Sequence, residues 1–142
     1  MKGTGDFEIW TTGNILNASV SGVWNEAIAK RYQTAFVKHA SAISSSPWAH
    51  IVYLDSWVLG TPEIEPIIHE LALWCNLNNL KLAAHVYSPN MLKEYQLNRM
   101  LAPGSIRFML HHFNDVDTAI VWLQHEGFNA QYPKQVIAKR FA

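Results

Sequence analysis

The sequence predicts an α/β fold, in which a five-stranded mixed and mostly parallel sheet carries an N-terminal β-hairpin and about four helices. Three observations predict it. The first 22 residues alternate apolar and polar side chains around a Gly13-Asn14 turn pair. Beyond them, short apolar runs alternate with segments whose apolar residues recur every three or four positions. Such alternation favours a parallel sheet with right-handed crossovers, and the hairpin supplies one antiparallel edge.

The hairpin and the first helix follow from a change of period. In the hairpin, the apolar residues that alternate with polar neighbours are Phe7, Ile9, Leu16, Ala18 and Val20. After Gly22 the period becomes helical, and no glycine or proline occurs before Pro47. We therefore expect a helix of about five turns. The apolar face of this helix is predicted to contain Trp24, Ala27, Ile28, Ala35, Phe36, His39 and Ile43.

A buried strand and a second helix come next. The run from His50 to Leu54 is typical of a strand that is covered on both faces. A helix is predicted from about Ile64 to Leu77. Its apolar face is predicted to contain Ile64, Ile67, Ile68, Leu71, Ala72 and Cys75. Thr61-Pro62 resembles an N-cap followed by a first-position proline, but Pro66 has no amide where the helix needs one, so we expect an irregular first turn.

The remaining elements are placed by their end signals. Lys81 to Tyr87 predicts a strand, and Ser88-Pro89 is expected to cap a third helix that runs to about Leu101. Ile106 to Phe113 predicts the last strand, and Asn114 is expected to cap the last helix. The buried residues and C-terminal glycine expected for that helix are Val116, Ala119, Ile120, Leu123 and Gly127.

Length and composition limit the function classes. We expect residues 1–142 to form one domain with a core at about 6–127, and a C-terminal tail at 128–142 that is a docked helix, an added strand or a loose arm. The single cysteine, Cys75, cannot form an intramolecular disulfide. The first residues lack the apolar segment of a signal peptide, and no apolar run approaches the roughly 20 residues that span a bilayer. We therefore expect a soluble cytoplasmic protein.

The charge balance argues against nucleic acid and anionic lipid as partners. Basic and acidic residues both number 11, so the chain carries no net field. Only 15% of the residues are charged, and there are six tryptophans. A sparsely charged, aromatic-rich surface favours self-association, so a homodimer is one expectation. The same composition is compatible with an apolar pocket for a small ligand.

The candidate site lies where the parallel strands end. In such sheets, ligands gather outside the carboxyl ends of the strands, near helix N-termini. The residues that this rule selects for contact with a partner or ligand are Asp55, Ser56, Trp57, Gly60, Thr61, Glu63, Tyr87, Ser88 and Asn114. Several have a plainer interpretation. Ser88, Asn114 and Thr61 can be helix caps alone, and Trp57 can fold back onto the core.

No cofactor or metal site is predicted. His111 and His112 are neighbours on a strand, so they point to opposite faces. Glu65 and His69 form at most one i, i+4 pair on a helix. Cys75 is expected to behave as a small apolar residue. No phosphate-binding glycine loop, nucleophile elbow or Cys-x-x-Cys motif is present.

The order of elements resembles the STAS domains of anti-sigma-factor antagonists, and most closely their SpoIIAA-like relatives. The local similarity lies in Ile51-Val52-Tyr53-Leu54-Asp55-Ser56, an apolar strand that ends in an acid, and in 117–123, which is similar to the family's last helix. The resemblance covers roughly residues 6–126. It implies a non-enzymatic regulatory module whose loop before the second helix contacts a protein partner, in classical members through a phosphorylatable serine.

The sequence differs from that family at the switch itself. The serine motif is replaced by Val58-Leu59-Gly60-Thr61-Pro62-Glu63, in which Thr61 is the one hydroxyl that modification could reach. Glu63 and Glu65 would repel a phosphate there. Three hypotheses follow. The first is a protein-interaction module that uses residues 55–63, the second is a binder of a small apolar molecule or lipid, and the third is a small hydrolase built on Asp55, Ser56 and a histidine such as His85 or His112.

Overall fold

Helices alternate with strands after an N-terminal hairpin in the computed structural model, which describes residues 5–102 and 104–132. The strands are β1 (Asp6–Thr12), β2 (Ile15–Trp24), β3 (Trp48–Tyr53), β4 (Trp57–Gly60), β5 (Leu80–Val86) and β6 (Met109–Phe113). The helices are α1 (Glu26–Ser41), α2 (Ile64–Leu77), α3 (Met91–Met100) and α4 (Val116–His125). The predicted order of elements is therefore confirmed, with one strand added.

The sheet is mixed and mostly parallel, as predicted. Its order is β1-β2-β3-β5-β6, with β1 antiparallel to β2 and the other neighbours on this path parallel. The added strand, β4, pairs in parallel with the end of β2, where Gly22 lies opposite Trp57 and Trp24 opposite Gly60. The described chain thus forms six strands instead of the expected five. Gly13 makes the hairpin turn with a positive φ of 59°, a conformation that glycine adopts without strain.

Two apolar cores lie on opposite faces of the sheet. Successive side chains of a strand point to opposite faces, so Trp48 and Val52 of β3 pack beneath α1, α2 and α3, whereas Ile51 packs against α4. We call these the three-helix face and the α4 face. Strands buried on both faces need apolar residues at nearly every position, which explains the unbroken apolar runs in the sequence.

The first helix is shorter than its periodicity predicted. Asn25 caps it by accepting a hydrogen bond from the Ile28 amide, at 3.0 Å. Trp24 accordingly belongs to the end of β2, and Ala27 is exposed instead of buried. The residues that α1 buries are Ile28, Ala29, Tyr32, Phe36 and Ala40. The apolar face predicted for α2 is confirmed, with Ile67 and Ile68 partly buried at its margin.

The predicted caps of α3 and α4 are wrong by one or two residues. Asn90, not Ser88, caps α3 by accepting from the amides of Leu92 and Lys93. Asp115, not Asn114, caps α4, because its carboxylate accepts from the amide of Thr118 at 2.8 Å. In both cases the capping residue lies immediately before the first helical residue, where its side chain reaches the free amides.

The start of α2 is irregular, as expected. Thr61 does not cap the helix with its side chain, and the residue at the cap position, Glu63, makes no side-chain cap. The amides of Ile64 and Glu65 instead donate to the carbonyls of Thr61 and Pro62, each three residues earlier. This tight turn accommodates the proline-rich start of the helix.

The first part of the predicted tail packs against the α4 face. Gly127 ends α4 with a positive φ of 96°, which confirms its predicted role. Phe128 is partly buried, and Ala130 is buried with its carbonyl accepting from the Gln124 side chain. The rest of the predicted tail, residues 133–142, lies outside the described residues. Within residues 5–102 and 104–132, no helix is long and apolar enough to cross a membrane.

Candidate functional site

The ends of β3 and β5 meet, as predicted for the candidate site. The carboxylate of Asp55 accepts a hydrogen bond from the Ser88 amide at 2.8 Å, so these two residues lie together. Tyr87 is buried, and its ring stacks on that of His112 with the centroids 3.8 Å apart. The Asn114 side chain is exposed and makes no hydrogen bond to the described residues. One hydrogen bond between loops and one ring stack onto β6 thus connect the residues of this edge.

Lys93, which no sequence pattern indicated, closes this edge from α3. Its ammonium donates to the carbonyls of Leu54 and Asp55 at 2.8 and 2.9 Å. The side chain is buried, and this burial lowers the pKa of Lys93, an effect that the nearby Asp55 charge opposes. Lys93 thus replaces the hydrogen bonds that the end of a strand would otherwise make with water.

Trp57 is enclosed and offers no ring to a partner at the surface. It is 2% exposed and packs in the core of the three-helix face. Gly60 is also tied down, because the Gln96 side chain accepts from its amide and donates to its carbonyl, both at 2.9 Å. A Cβ atom at Gly60 would collide with the end of the Ile64 side chain, so a larger residue here would require that buried side chain to move. Of the predicted contact residues, Trp57 and Tyr87 are therefore buried, and Gly60 is partly buried.

The two loop hydroxyls differ in exposure. The Thr61 hydroxyl is buried and makes no hydrogen bond to the described residues, so a kinase cannot reach it in this conformation. Ser56 is exposed, and its hydroxyl has no hydrogen bond to any described histidine. Glu63 is exposed at the start of α2. A nucleophile needs a base within hydrogen-bond reach, and the described residues place none at Ser56.

A cavity of about 100 Å³ lies between the three-helix face and the helices above it. Its floor comes from β2, β3, β4 and β5, and its roof from α1, α2 and α3. Its lining residues are Val20, Trp24, Tyr32, Phe36, His50, Val52, Leu54, Trp57, Ile64, Ile68, Leu71, Ala72, Cys75, Leu80, Ala83, His85, Leu97, Met100, Leu101 and Phe108. Among these described residues, the histidines alone belong to a residue type that gains a charge in the physiological pH range.

Three histidines form a diagonal row across the floor and edge of this face. His85 on β5 lies opposite His112 on β6, and His50 lies two positions from His85 in the β3 and β5 register. His50 donates from Nδ1 to the Leu16 carbonyl at 2.9 Å, and His112 donates from Nε2 to the Tyr87 carbonyl at 2.8 Å. No hydrogen bond joins His85 to any described residue. His111, as predicted, points to the other face, where it stacks on Trp122.

The histidines in the cavity are uncharged. Burial lowers the pKa of His50 to about 4, although its hydrogen bond to Leu16 opposes the change. Burial, together with the nearby His50 and His112 rings, lowers the pKa of His85 to about 3. Burial raises the pKa of the Cys75 thiol to about 12, and burial and the nearby Cys75 raise the pKa of Tyr32. The cavity is thus neutral throughout the physiological range.

The cavity approaches the surface between α2 and the end of α3. All lining residues are buried except Ile68 on α2 and Leu101 just after α3, which are partly exposed. His69 bridges this same seam by donating from Nδ1 to the Met100 carbonyl at 3.0 Å. The expected pair between Glu65 and His69 does not form. Glu65 instead contacts Arg99 of α3 at 3.0 Å, so both residues connect the two helices.

The described residues contain no cluster of three or more histidine, cysteine or acidic side chains that could hold a metal ion. The position of each histidine in its strand could have revealed the histidines of the cavity. His50 interrupts the apolar run of β3, and His85 interrupts the apolar run that follows Lys81 in β5, which is unusual for strands buried on both faces. Their shared face was not apparent, because it depends on the register between β3 and β5.

The fold is also found in a solved structure. The chain is similar to an uncharacterised protein of the DUF3478 family from Shewanella loihica PV-4, described as having a SpoIIAA-like fold. The match has a TM-score of 0.62 at 14% identity and covers 84% of this chain and 93% of the other. No protein-family model matches the sequence, and no curated protein matches it. The chain therefore has a SpoIIAA-like fold, as predicted from its sequence.

Proposed function

We propose that this protein binds a small, uncharged and largely apolar molecule in the cavity between the three-helix face and the helices. The observation that carries the proposal is the composition of the lining. Apolar side chains provide most of it, and the two histidines are kept neutral by burial. Protein interiors are normally close-packed, so a cavity of about 100 Å³ in the centre of a 142-residue chain is a feature to be explained.

The size of the cavity limits its ligand. An apolar protein cavity of about 150 Å³ is known to remain dry and to take up benzene. By that comparison, the present cavity accommodates about four to six non-hydrogen atoms as it stands, and a probe of seven atoms such as toluene or phenol requires a small shift of a flexible side chain such as Met100. Small ligands gain at most about 1.5 kcal/mol per non-hydrogen atom, so we expect dissociation constants of roughly 10 μM to 1 mM for probes of this size.

Titration with toluene, followed by the NMR signals of the methyl groups of Ile68, Leu71 and Met100, tests the proposal. We expect saturable shifts confined to the cavity. Ala83→Val adds two methyl groups to the cavity floor and should weaken toluene binding about tenfold, whereas Ala27→Val adds the same groups at an exposed site on α1 and should leave binding unchanged. Absence of saturable shifts in the folded wild-type protein, across toluene and shorter alkanes, would contradict the proposal.

A second candidate function is the binding of a protein partner at the predicted edge. The observation that favours it is a strip of exposed apolar side chains on α3, in which Met91, Leu92 and Tyr95 are 88%, 66% and 62% exposed. We call it the α3 strip. The helix packs against β4, where Val58 is 59% exposed. Exposed apolar patches mark interaction surfaces more often than chance, and this one lies beside residues 55–63.

A comparison of purified complexes tests this second candidate. Wild-type protein and the Leu92→Ser, Tyr95→Ser double variant would be used to capture partners, which are then purified and titrated individually. The control is Val121→Ser on α4, which removes an apolar side chain that is also 62% exposed. A partner that binds wild type and the control but loses at least tenfold in affinity for the double variant supports the α3 strip. Equal affinity of the partner for all three proteins would contradict the proposal that the α3 strip is the binding surface.

A further inference from the structure

We propose that the molecule bound in the cavity carries a hydroxyl group, and that this hydroxyl makes a hydrogen bond with the imidazole of His85. The inference rests on the proposed binding of a small molecule and specifies its chemical class as an uncharged alcohol or phenol. It starts from a difference within the row of histidines. His50 and His112 each donate to a backbone carbonyl, whereas His85, which lies between them on the sheet, has no hydrogen-bond partner among the described residues.

The position of His85 makes its ring available to a ligand. The residue is 8% exposed, and its side chain lines the cavity. Its ring nitrogens are not among the fully buried side-chain atoms of the described residues that lack a partner, so they keep some accessible surface. A ligand hydroxyl can therefore bond to the ring while the rest of the molecule gains the apolar contacts of the lining.

The protonation state of His85 selects the polar group of the ligand. Because burial lowers the pKa of His85 to about 3, the ring is neutral and has one nitrogen that donates and one that accepts. A hydroxyl can both donate and accept, so it matches either tautomer. A carboxylate or an ammonium group would enter a neutral, desolvated site with no opposite charge on the lining side chains, which disfavours charged ligands strongly.

Tyr32 is the competing polar group. Its hydroxyl also makes no hydrogen bond to the described residues, and its side chain lines the cavity from α1. The rings of Phe7, Trp24 and Phe36 surround Tyr32, with centroids 5.0 to 5.8 Å away. His85, in contrast, lies on the floor of the cavity beside the neighbouring strands. The experiment therefore has to separate these two side chains.

Phenol and toluene are suitable probes, because they have nearly the same shape and differ in one hydroxyl. We would measure their affinities by NMR titration for wild type, His85→Phe and Tyr32→Phe. We expect His85→Phe to weaken phenol binding about tenfold and to leave toluene binding within about twofold. Tyr32→Phe should not change the ratio of the two affinities. If the ratio is the same in wild type and His85→Phe, or if Tyr32→Phe alone changes it, the assignment to His85 is wrong.

Two further measurements complete the test. His111→Phe makes the same substitution on the α4 face and serves as the control. The ratio of its phenol affinity to its toluene affinity should equal that of wild type. The ¹⁵N shifts of the His85 ring in the wild-type protein, which do not depend on a variant that folds, should move with phenol and not with toluene. If toluene binds and phenol leaves the ring shifts unchanged, the hydroxyl inference is overturned and the binding function remains. If neither probe binds, both are overturned.

Discussion

At the scale of single residues, Gln96 connects α3 to β4. It bonds to both the amide and the carbonyl of Gly60 while it is itself buried. Gln96→Leu keeps a side chain of similar size but leaves these two backbone groups without that partner. We expect the free energy of unfolding to fall by about 2–3 kcal/mol, measured by urea denaturation. Asn98→Leu, at an exposed position of the same helix, is the control and should stay within about 0.5 kcal/mol of wild type.

The cap of α4 allows a second test at this scale. Asp115 accepts from both the amide and the hydroxyl of Thr118, which lowers the pKa of its carboxyl group. Asp115→Ala removes the cap, so we expect the midpoint of urea unfolding to move to a lower urea concentration. Asn114→Ala should have almost no effect, since its side chain makes no hydrogen bond to the described residues. A larger fall in this midpoint for Asn114→Ala would reverse this assignment.

The structural role of a residue was predictable from the sequence only where the local chain determines that role. Gly13 and Gly127 were predicted correctly, because a turn and a helix end each require a positive φ in the chain itself. The roles of Lys93 and Gln96 were not predictable. Their partners lie 36 to 39 residues away along the chain, so no local pattern indicates that these polar side chains are buried. Tertiary contacts alone give them their positions.

At the scale of elements, the seam between α2 and α3 controls how the cavity meets solvent. The two partly exposed lining residues, Ile68 and Leu101, flank it, and His69 bridges it through the carbonyl of Met100. His69→Ala removes this hydrogen bond without touching the lining. We expect toluene to associate and dissociate several times faster, with its affinity unchanged within about twofold, as measured by NMR exchange spectroscopy.

A matched control is available on α1. His39 also donates from Nδ1 to a carbonyl, but to that of Ala35 in its own helix, at 2.9 Å. His39→Ala therefore removes a similar hydrogen bond that crosses no seam. Toluene should associate with and dissociate from the His39→Ala variant at the same rates as wild type. If His39→Ala and His69→Ala accelerate exchange equally, access between α2 and α3 is not controlled by His69.

The predictability of the elements depended on their length and period. The long helices and the strands with continuous apolar runs were predicted, since each has a strong local signal. β4 was missed because it has four residues and pairs only with the distant end of β2. Its Leu59 has a positive φ of 66°, which a branched apolar residue rarely adopts and which nothing in the sequence suggests. β4 therefore lies within residues 55–63, the segment that was predicted to be a loop and to hold most of the contact residues.

At the scale of the whole molecule, the arrangement of helices explains why a cavity forms on one face. Three helices cover one face, whereas α4 alone packs on the other. Sheets are twisted, so the side chains of three helices that meet over one must fill an uneven space where the helices converge. The alternation of strands and helices predicted the mostly parallel sheet with one antiparallel edge, but not which face each helix covers. The cavity was not predictable, because it depends on how much volume the side chains leave.

The buried histidines also couple the stability of the entire fold to pH. In the unfolded chain, His50 and His85 titrate near the usual pKa of about 6.5, whereas burial lowers their pKa to about 4 and about 3 in the folded protein. Below pH 6.5, the unfolded state therefore binds protons that the folded state does not. The stability that these groups support is fully present above pH 6.5 and is lost as the pH falls toward the folded values.

We expect the free energy of unfolding to fall by roughly 2–3 kcal/mol between pH 6 and pH 5, a range above the usual pKa of most carboxylates. Urea denaturation at half-unit intervals of pH measures it. His85→Phe removes one of the two buried groups that bind a proton on unfolding, so the change in the free energy of unfolding per pH unit should fall by about half. His111→Phe on the α4 face is the control and should retain the change seen in wild type. An equal free energy of unfolding at pH 7 and pH 5 in the wild-type protein would show that neither histidine is held neutral by the fold. The cavity would then have to be polar enough to tolerate charge, and the preference for uncharged ligands would lose its physical basis.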